Sequence, residues 1–234
     1  MASSFSGLPS HLLPSPADVV RRTGELFNDG VLVRSVRATL LRMIGGFGVS
    51  AILGLLLGVI MGASAAARDC LRSLLLGLQT LPSAAWVPIS LLAFGLTDTS
   101  IYFVIVMSSV GGIAVAVADG IANVPPLFLR AARTLGTPRY AITYRVVLPA
   151  ALPSIVTGMK LGWTLGWHGA VSAELIRSTL GLGFLLHMGR ELNDASQVVA
   201  IMLITIALGL LIDKSVFGVI EQRVRARRGL GAER

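Results

Sequence analysis

Cysteine, lysine and charge are all scarce in this sequence of 234 residues, and each scarcity removes a class of protein. One cysteine, Cys70, allows neither an intrachain disulfide nor a cysteine metal cluster, and reads as a small packing residue. Lysine occurs only at Lys160 and Lys214. Neither completes the Gly-x-x-x-x-Gly-Lys spacing with which a nucleotide-binding loop cradles phosphates, so ATP hydrolysis by this chain is not expected. His11, His168 and His187 stand without partners at metal-ligand spacing, and no catalytic triad or carboxylate pair can be assembled, so neither a catalytic nor a metal site is expected. Charged residues make up 14% of the chain, against roughly a quarter in soluble domains. Such a chain cannot cover itself with polar surface in water.

Apolar residues are what it has, at 54% of the total with a mean hydropathy of +0.78. Charge-free runs extend from Met43 to Ala67, Ser73 to Thr97, Thr99 to Ala118 and Ala195 to Ile212, and the shortest is 18 residues, enough to cross a bilayer. A further run from Val146 to Ala173 is interrupted only by Lys160. The reading is an all-α membrane protein of about five transmembrane helices, with spans near 39–65, 73–96, 100–118, 149–171 and 196–214 and a loop over 119–148. These make a membrane domain over 38–217, preceded by an extracytoplasmic segment 1–37 and followed by a basic tail 218–234.

The net charge of +8 is carried at the ends of the apolar runs, without interleaved aromatics, which argues against nucleic acid as a partner. Five spans put the termini on opposite sides. One side then holds Arg21, Arg22, Arg34, Arg37, Arg177 and Arg190. The other holds twelve basic residues, from Arg68 and Arg72 through Arg130, Arg133, Arg139 and Arg145 to the C-terminal cluster. The richer side is expected to be cytoplasmic, leaving the N-terminus outside and the C-terminus inside.

No signal-peptide succession precedes the first span. Ser15-Pro16-Ala17-Asp18 reads as a cap, a first-turn proline and a first-turn acid, opening a partly amphipathic helix on the outer membrane surface. Ser50, Gly54, Gly58 and Gly62 form a small-residue stripe for close helix packing. Pro82 and Pro88 predict a kink or break in the second span.

The loop between the third and fourth spans carries the most specific signal. After Pro125-Pro126 a short helix is expected to stop at Gly136, and a second to start at Thr137-Pro138 and run to Leu148-Pro149. The first would expose the small pair Ala131-Ala132 between Arg130 and Arg133, a form that can seat in a groove on another protein. By local rules alone, an interfacial amphipathic helix competes equally with this docking reading.

At this point the sequence resembles the permeases of ATP-binding-cassette (ABC) importers. Their loop reads Glu-Ala-Ala, three residues, Gly, nine residues, Ile, one residue, Leu-Pro. Here the same spacing holds Arg130-Ala131-Ala132, Gly136, Val146 and Leu148-Pro149. The resemblance is greatest to permeases for aliphatic sulfonates, taurine and nitrate, through Leu13-Pro14-Ser15-Pro16, Leu81-Pro82 to Trp86-Val87-Pro88 and Phe94-Gly95, and Ala173-Glu174 followed by Gly181-Leu182-Gly183. Two departures stand out. Arg130 occupies the place of the family's usual acid, and many sulfonate-type relatives carry a further membrane helix before the Leu-Pro-Ser-Pro segment, whereas five spans match the minimal core of shorter importer permeases.

The resemblance implies a type I importer permease core in a bacterial inner membrane, probed from outside by a solute-binding protein. It further implies a second permease copy as partner and two ATPase subunits that bind ATP and magnesium. It assigns coupling to Arg130, Ala131, Ala132, Gly136, Val146, Leu148 and Pro149. Polar and amphipathic residues within or beside the spans are candidates for the path of a small anionic solute. They are Arg42, Gln79, Trp86, Ser108, Ser109, Lys160, Trp163, Trp167, His168 and Glu174. For each, helix-to-helix bonding or interface anchoring is about as good a reading. Two rival functions remain at this level. An ion-coupled transporter would need acids inside the spans, whereas Asp98, Asp119, Glu174 and Asp213 all read as span ends. A membrane scaffold would need no path at all.

Overall fold

The computed structural model describes residues 14–176 and 180–226. Leu13, His11, Arg177 and the basic residues from Arg227 onward, all used in the sequence reading, lie outside that set. The described residues form helices α1 (Pro16–Asn28), α2 (Val31–Ala63), α3 (Ala65–Gln79), α4 (Trp86–Phe94), α5 (Asp98–Ala122), α6 (Pro126–Thr134), α7 (Arg139–Ile142), α8 (Leu148–Ile176), α9 (Leu182–Glu191), α10 (Ala195–Ile212) and α11 (Val219–Ala226). No strand occurs among them.

Length and apolarity qualify α2, α5, the continuous run Thr143–Ile176 and the continuous run Ala195–Val224 as membrane spans. The fifth candidate is two arms, Ala65–Gln79 and Ser83–Phe94, bent 90° to each other. Pro82 sits in the break. Pro88 does not contribute, because it is the third residue of α4, where a proline's missing N–H has no helical acceptor to lose. The expected kink or break in the second span is therefore a 90° break at Pro82.

Helix α5 lies between α2 and α8 and forms the centre of the bundle. The small-residue stripe on α2 explains how closely it approaches. A Cβ built on Gly54 would stand 2.7 Å from the Cβ of Ile113, and one on Gly58 would stand 2.5 Å from that of Val117. From the other side, Gly162 of α8 abuts the same Ile113, which is fully buried. With lipid tails as apolar as the side chains, such close packing is what holds helices together in a membrane. Outward-facing Ile52, Leu56 and Ile60 of α2 are half or more exposed and meet the bilayer instead.

Two wide, π-type turns interrupt the spans. One covers Thr143–Val147, where Leu148 N–H reaches back five residues to the Thr143 carbonyl. Pro149 follows at once, and a wide turn relieves the clash its ring would make with the preceding turn. The second helix of the loop therefore does not end at Leu148-Pro149 as the sequence indicated. It continues from Arg139 through the π-turn into α8. The other π-turn, Asp213–Gly218, carries α10 on into α11, which packs against α8, so the start of the expected tail is part of the bundle.

Helix α1 has the anticipated start: the Ser15 hydroxyl accepts from Asp18 N–H at 3.2 Å, and Pro16 takes the first position. Asp18 is held below the usual carboxylate range first by the Ser15 hydroxyl and then by Arg21. The helix is not merely laid on a surface. Arg22 pairs with Asp194 at 2.9 Å and donates to Gln197 at 2.8 Å, and Gln197 in turn donates to the Leu185 carbonyl, tying α1, α9 and α10 together.

Candidate functional site

At the end of the bundle where α2 begins and α8 finishes, the side chains converge on Glu174. This residue is fully buried and lies in the last turn of α8 rather than beyond it. Its carboxylate accepts from Thr39 Oγ1 at 2.8 Å, Arg42 Nη1 at 2.9 Å and Gly183 N–H at 3.1 Å. Thr39 Oγ1 also accepts from Leu182 N–H at 2.9 Å, and Arg42 reaches the Leu180 carbonyl and, at 3.1 Å, Asp98. A carboxylate inside a membrane span is costly unless paired and hydrogen-bonded. Here Thr39 and Arg42 come from α2, Gly183 from α9 and, through Arg42, Asp98 from the start of α5, so the cluster clamps the 180–183 turn and α5 onto α2 and α8.

Farther along the bundle lie two cavities. The first, of about 200 Å³, sits at the α3–α4 break and is lined by Gln79, Pro82, Ser83, Trp86, Ser108 and His168 together with Leu78, Leu81, Met107 and Leu165. Ser108 Oγ and Gln79 Nε2 have no hydrogen-bond partner and are sealed in helix contacts, against Gly169 and Gly111, rather than open to the cavity. The second, of about 440 Å³, opens between α8 and α10 and is bordered by Lys160, Trp163, Trp167, His168, Thr205 and Asp213 among others. Trp163 and Trp167 stack at 6.5 Å, with Phe47 and Phe217 closing on Trp163. His168 borders both cavities.

The two cations proposed for an anion path are not free. Arg42 is taken by Glu174 and Asp98, and Lys160 pairs with Asp213 at 3.0 Å. Ser109 lines neither cavity. It is fully buried with an unpartnered hydroxyl, pressed against Gly166 of α8. Arg72 and Asp119 pair at the opposite end, fastening α3 to the end of α5.

The loop at that end is more rigid than its sequence position indicates. Gly136 takes φ +74°. Its N–H bonds the Arg133 carbonyl while Thr137 N–H bonds that of Ala132, so α6 closes in a Schellman turn. Ala132 is not exposed. It is buried with Val124, Ile142, Val147 and Ala151, with Leu129 and Val146 packed against them. The expected exposed pair reduces to Ala131. Around it, Arg130, Arg133, Leu127, Phe128 and Leu135 are exposed, while Leu148 is half-buried and Pro149 exposed at the start of α8.

Sequence reasoning missed Thr39 and the pairings of Arg42 and Lys160. Thr39 and Arg42, three apart on one helical face, were a usable signal for a polar patch on α2. Their acceptor stands 135 and 132 residues away, and no local pattern specifies that.

Glycine-packed, apolar spans long enough to cross a bilayer and a stiff helical loop at one end define a multi-pass α-helical membrane protein. Residues 51–226 match the family of binding-protein-dependent transport system inner membrane components, and the chain belongs to that family. It is 33% identical over 225 residues to the bicarbonate transport system permease of Synechococcus elongatus, covering 91% of this chain and 81% of that one. It is also 33% identical over 196 residues to the nitrate import permease of Leptolyngbya laminosa, covering 84% and 70%. Among solved structures, an inward-facing form of the MetNI methionine ABC transporter superposes with TM-score 0.71 over 83% of this chain and 96% of its own, at 20% identity, a likeness of fold.

Proposed function

We propose that this chain is the translocation subunit of an ATP-driven importer for a small anionic solute of the bicarbonate, nitrate or sulfonate kind, coupled to separate ATPase subunits through α6. The observation that carries the proposal is the construction of the loop. α6 offers an exposed face of Arg130, Ala131, Arg133, Leu127, Phe128 and Leu135, while Ala132 roots it in a small apolar core shared with the start of α8. Displacement of α6 by a docked ATPase is therefore passed to a helix that crosses the membrane. Val146 transmits it through that core, and Leu148 and Pro149 mark where the loop becomes the span.

The excess of basic residues at the α6 end supports a cytoplasmic α6 and an external Glu174 cluster, where a solute-binding protein would deliver. A second copy of the chain supports the path from the other side. The exposed stripe of α8 at Thr157, Thr164 and His168, with Lys160 beside it, lies within a span, where polar groups normally avoid lipid. ATP and magnesium belong to the ATPase partner. The acids required by an ion-coupled mechanism are in ion pairs here: Glu174 with Arg42, Asp213 with Lys160 and Asp119 with Arg72.

Gly136→Trp tests the coupling role. Nothing lies within 4 Å of a Cβ at that position, so the indole projects away from the subunit, and the left-handed backbone costs about 1–2 kcal/mol. The expected outcome is a folded permease whose complex hydrolyses ATP without uptake. Transport at the wild-type rate in proteoliposomes refutes the docking role.

A further inference from the structure

The loop that holds α6 is basic throughout. Between Asp119 and Glu174 the chain contains Arg130, Arg133, Arg139, Arg145 and Lys160 and no Asp or Glu. Asp119 itself is taken by Arg72. No ion pair among the described residues includes Arg130 or Arg133, and both are exposed. Arg145 is also exposed, on the π-type turn against which α6 packs.

Helical spacing sorts what α6 presents outward. Leu127, Ala131 and Leu135, four apart, form an exposed ridge whose leucines are 69% and 84% exposed. Arg130 and Arg133 lie on one side of that ridge and Phe128 on the other. The ridge is low in its middle, where Ala131 separates two leucines about 12 Å apart along the helix axis. A groove on a folded protein can fill that hollow, whereas fluid lipid chains gain nothing from it. Guanidiniums carried into a protein groove need carboxylates there, because a buried charge without a partner is costly and the planar fork pairs carboxylates bidentately. The loop has no acid to offer, so the partner must bring it.

We propose that the groove on the ATPase partner that receives α6 is acidic along one wall, with carboxylates opposite Arg130 and Arg133 and an apolar floor under Leu127 and Leu135. The inference rests on the coupling role given to α6 above and adds to it the sign of the partner's surface. A groove basic enough to accept an acid at position 130 would repel Arg130, so the same contact selects which ATPase this permease takes.

The test is binding of the transporter's own ATPase subunit to the full-length permease in nanodiscs of phosphatidylcholine, which carries no net charge, followed by biolayer interferometry. Arg130→Glu should weaken binding at least tenfold, whereas Arg130→Lys, which keeps the charge, should cost much less. Raised salt should weaken the wild-type complex more than the Arg130→Glu complex. Each variant permease alone should melt with the wild type, since neither guanidinium bonds the rest of the chain. Arg133→Glu, expected to weaken binding in the same direction, carries the test if Arg130→Glu lowers the melting temperature. Binding by Arg130→Glu within tenfold of wild type overturns the proposal. So does an Arg130→Lys that loses as much as Arg130→Glu, because shape rather than charge then decides. A loss that shows only when the discs contain phosphatidylserine overturns it too, because the arginines then face lipid. In each of these cases wild-type binding leaves the coupling role standing. A wild-type permease that binds no ATPase in either disc overturns both.

Discussion

Removing Glu174 should damage this protein more than removing any other single carboxylate, and the cluster around it sets the size of the effect. Glu174→Ala takes away an acceptor serving Thr39 Oγ1, Arg42 Nη1 and Gly183 N–H at 2.8, 2.9 and 3.1 Å. Bonds to a charged group contribute about 1.5–3 kcal/mol each, but they are not additive, and Arg42 keeps Asp98 and the Leu180 carbonyl. The better guide is the cost of breaking a buried ion pair from one side, about 3–5 kcal/mol. With about 2–4 °C lost per kcal/mol in a chain of this size, Tm should fall by about 6–20 °C. Glu174→Gln keeps the shape and one acceptor oxygen and should lose about half as much. The assay is thermal unfolding of the purified permease, with amide exchange at 180–183 as a local reporter. Ile52→Ala, on the lipid-facing side of α2 and 63% exposed, serves as the control. If Glu174→Ala melts within a degree or two of that control, the clamp is not a stabilising element. If the Arg42→Met, Glu174→Met double variant is as unstable as the sum of the singles, the two residues are not coupled.

Other outcomes follow from the same coordinates. Gly58→Leu should prevent stable folding, since its Cβ would stand 2.5 Å from Val117 and 2.8 Å from the Ala114 carbonyl, whereas Gly48→Leu, with nothing within 4 Å, should give normal yield on size-exclusion chromatography. Asp213→Asn should cost only about 0.2–1 kcal/mol in melting experiments because the Lys160 pair is roughly one third exposed, and exchanging the two residues should recover it. Asp18 has a depressed pKa in the folded chain, so its contribution is present above the unfolded value near 3.9 and is lost as pH falls through the lower folded value. Amide exchange in the first turn of α1 should therefore accelerate only in strong acid, and acceleration already at pH 5 would contradict the Ser15 cap.

Much of the architecture was legible because a bilayer is an exacting solvent. Within a single segment only a helix satisfies its own backbone there, so long apolar runs, charge-free except for Lys160 in α8, marked α2, α5, α8 and α10 before any packing was known. The Gly54, Gly58 and Gly62 stripe announced a close helix contact for the same reason. Local chemistry also located the turn at Gly136, which needs a residue tolerant of positive φ.

Tertiary structure alone decided which polar residues meet. Arg42 and Glu174 both stood out as isolated charges at span ends, yet nothing within reach of a local pattern joins residues 132 apart, and the same holds for Lys160 and Asp213. Whether Ser108 or its neighbour Ser109 borders a cavity depends on about a hundred degrees of helix rotation, which the packing of Ile113 between Gly54 and Gly162 fixes. The sequence by itself determined that the chain lives in a membrane and where its apolar spans fall. The fold decided that the two expected cations are already neutralised by carboxylates. Pairing of side chains is a property of where helices cross, and helix crossings are set by contacts between residues far apart in the chain.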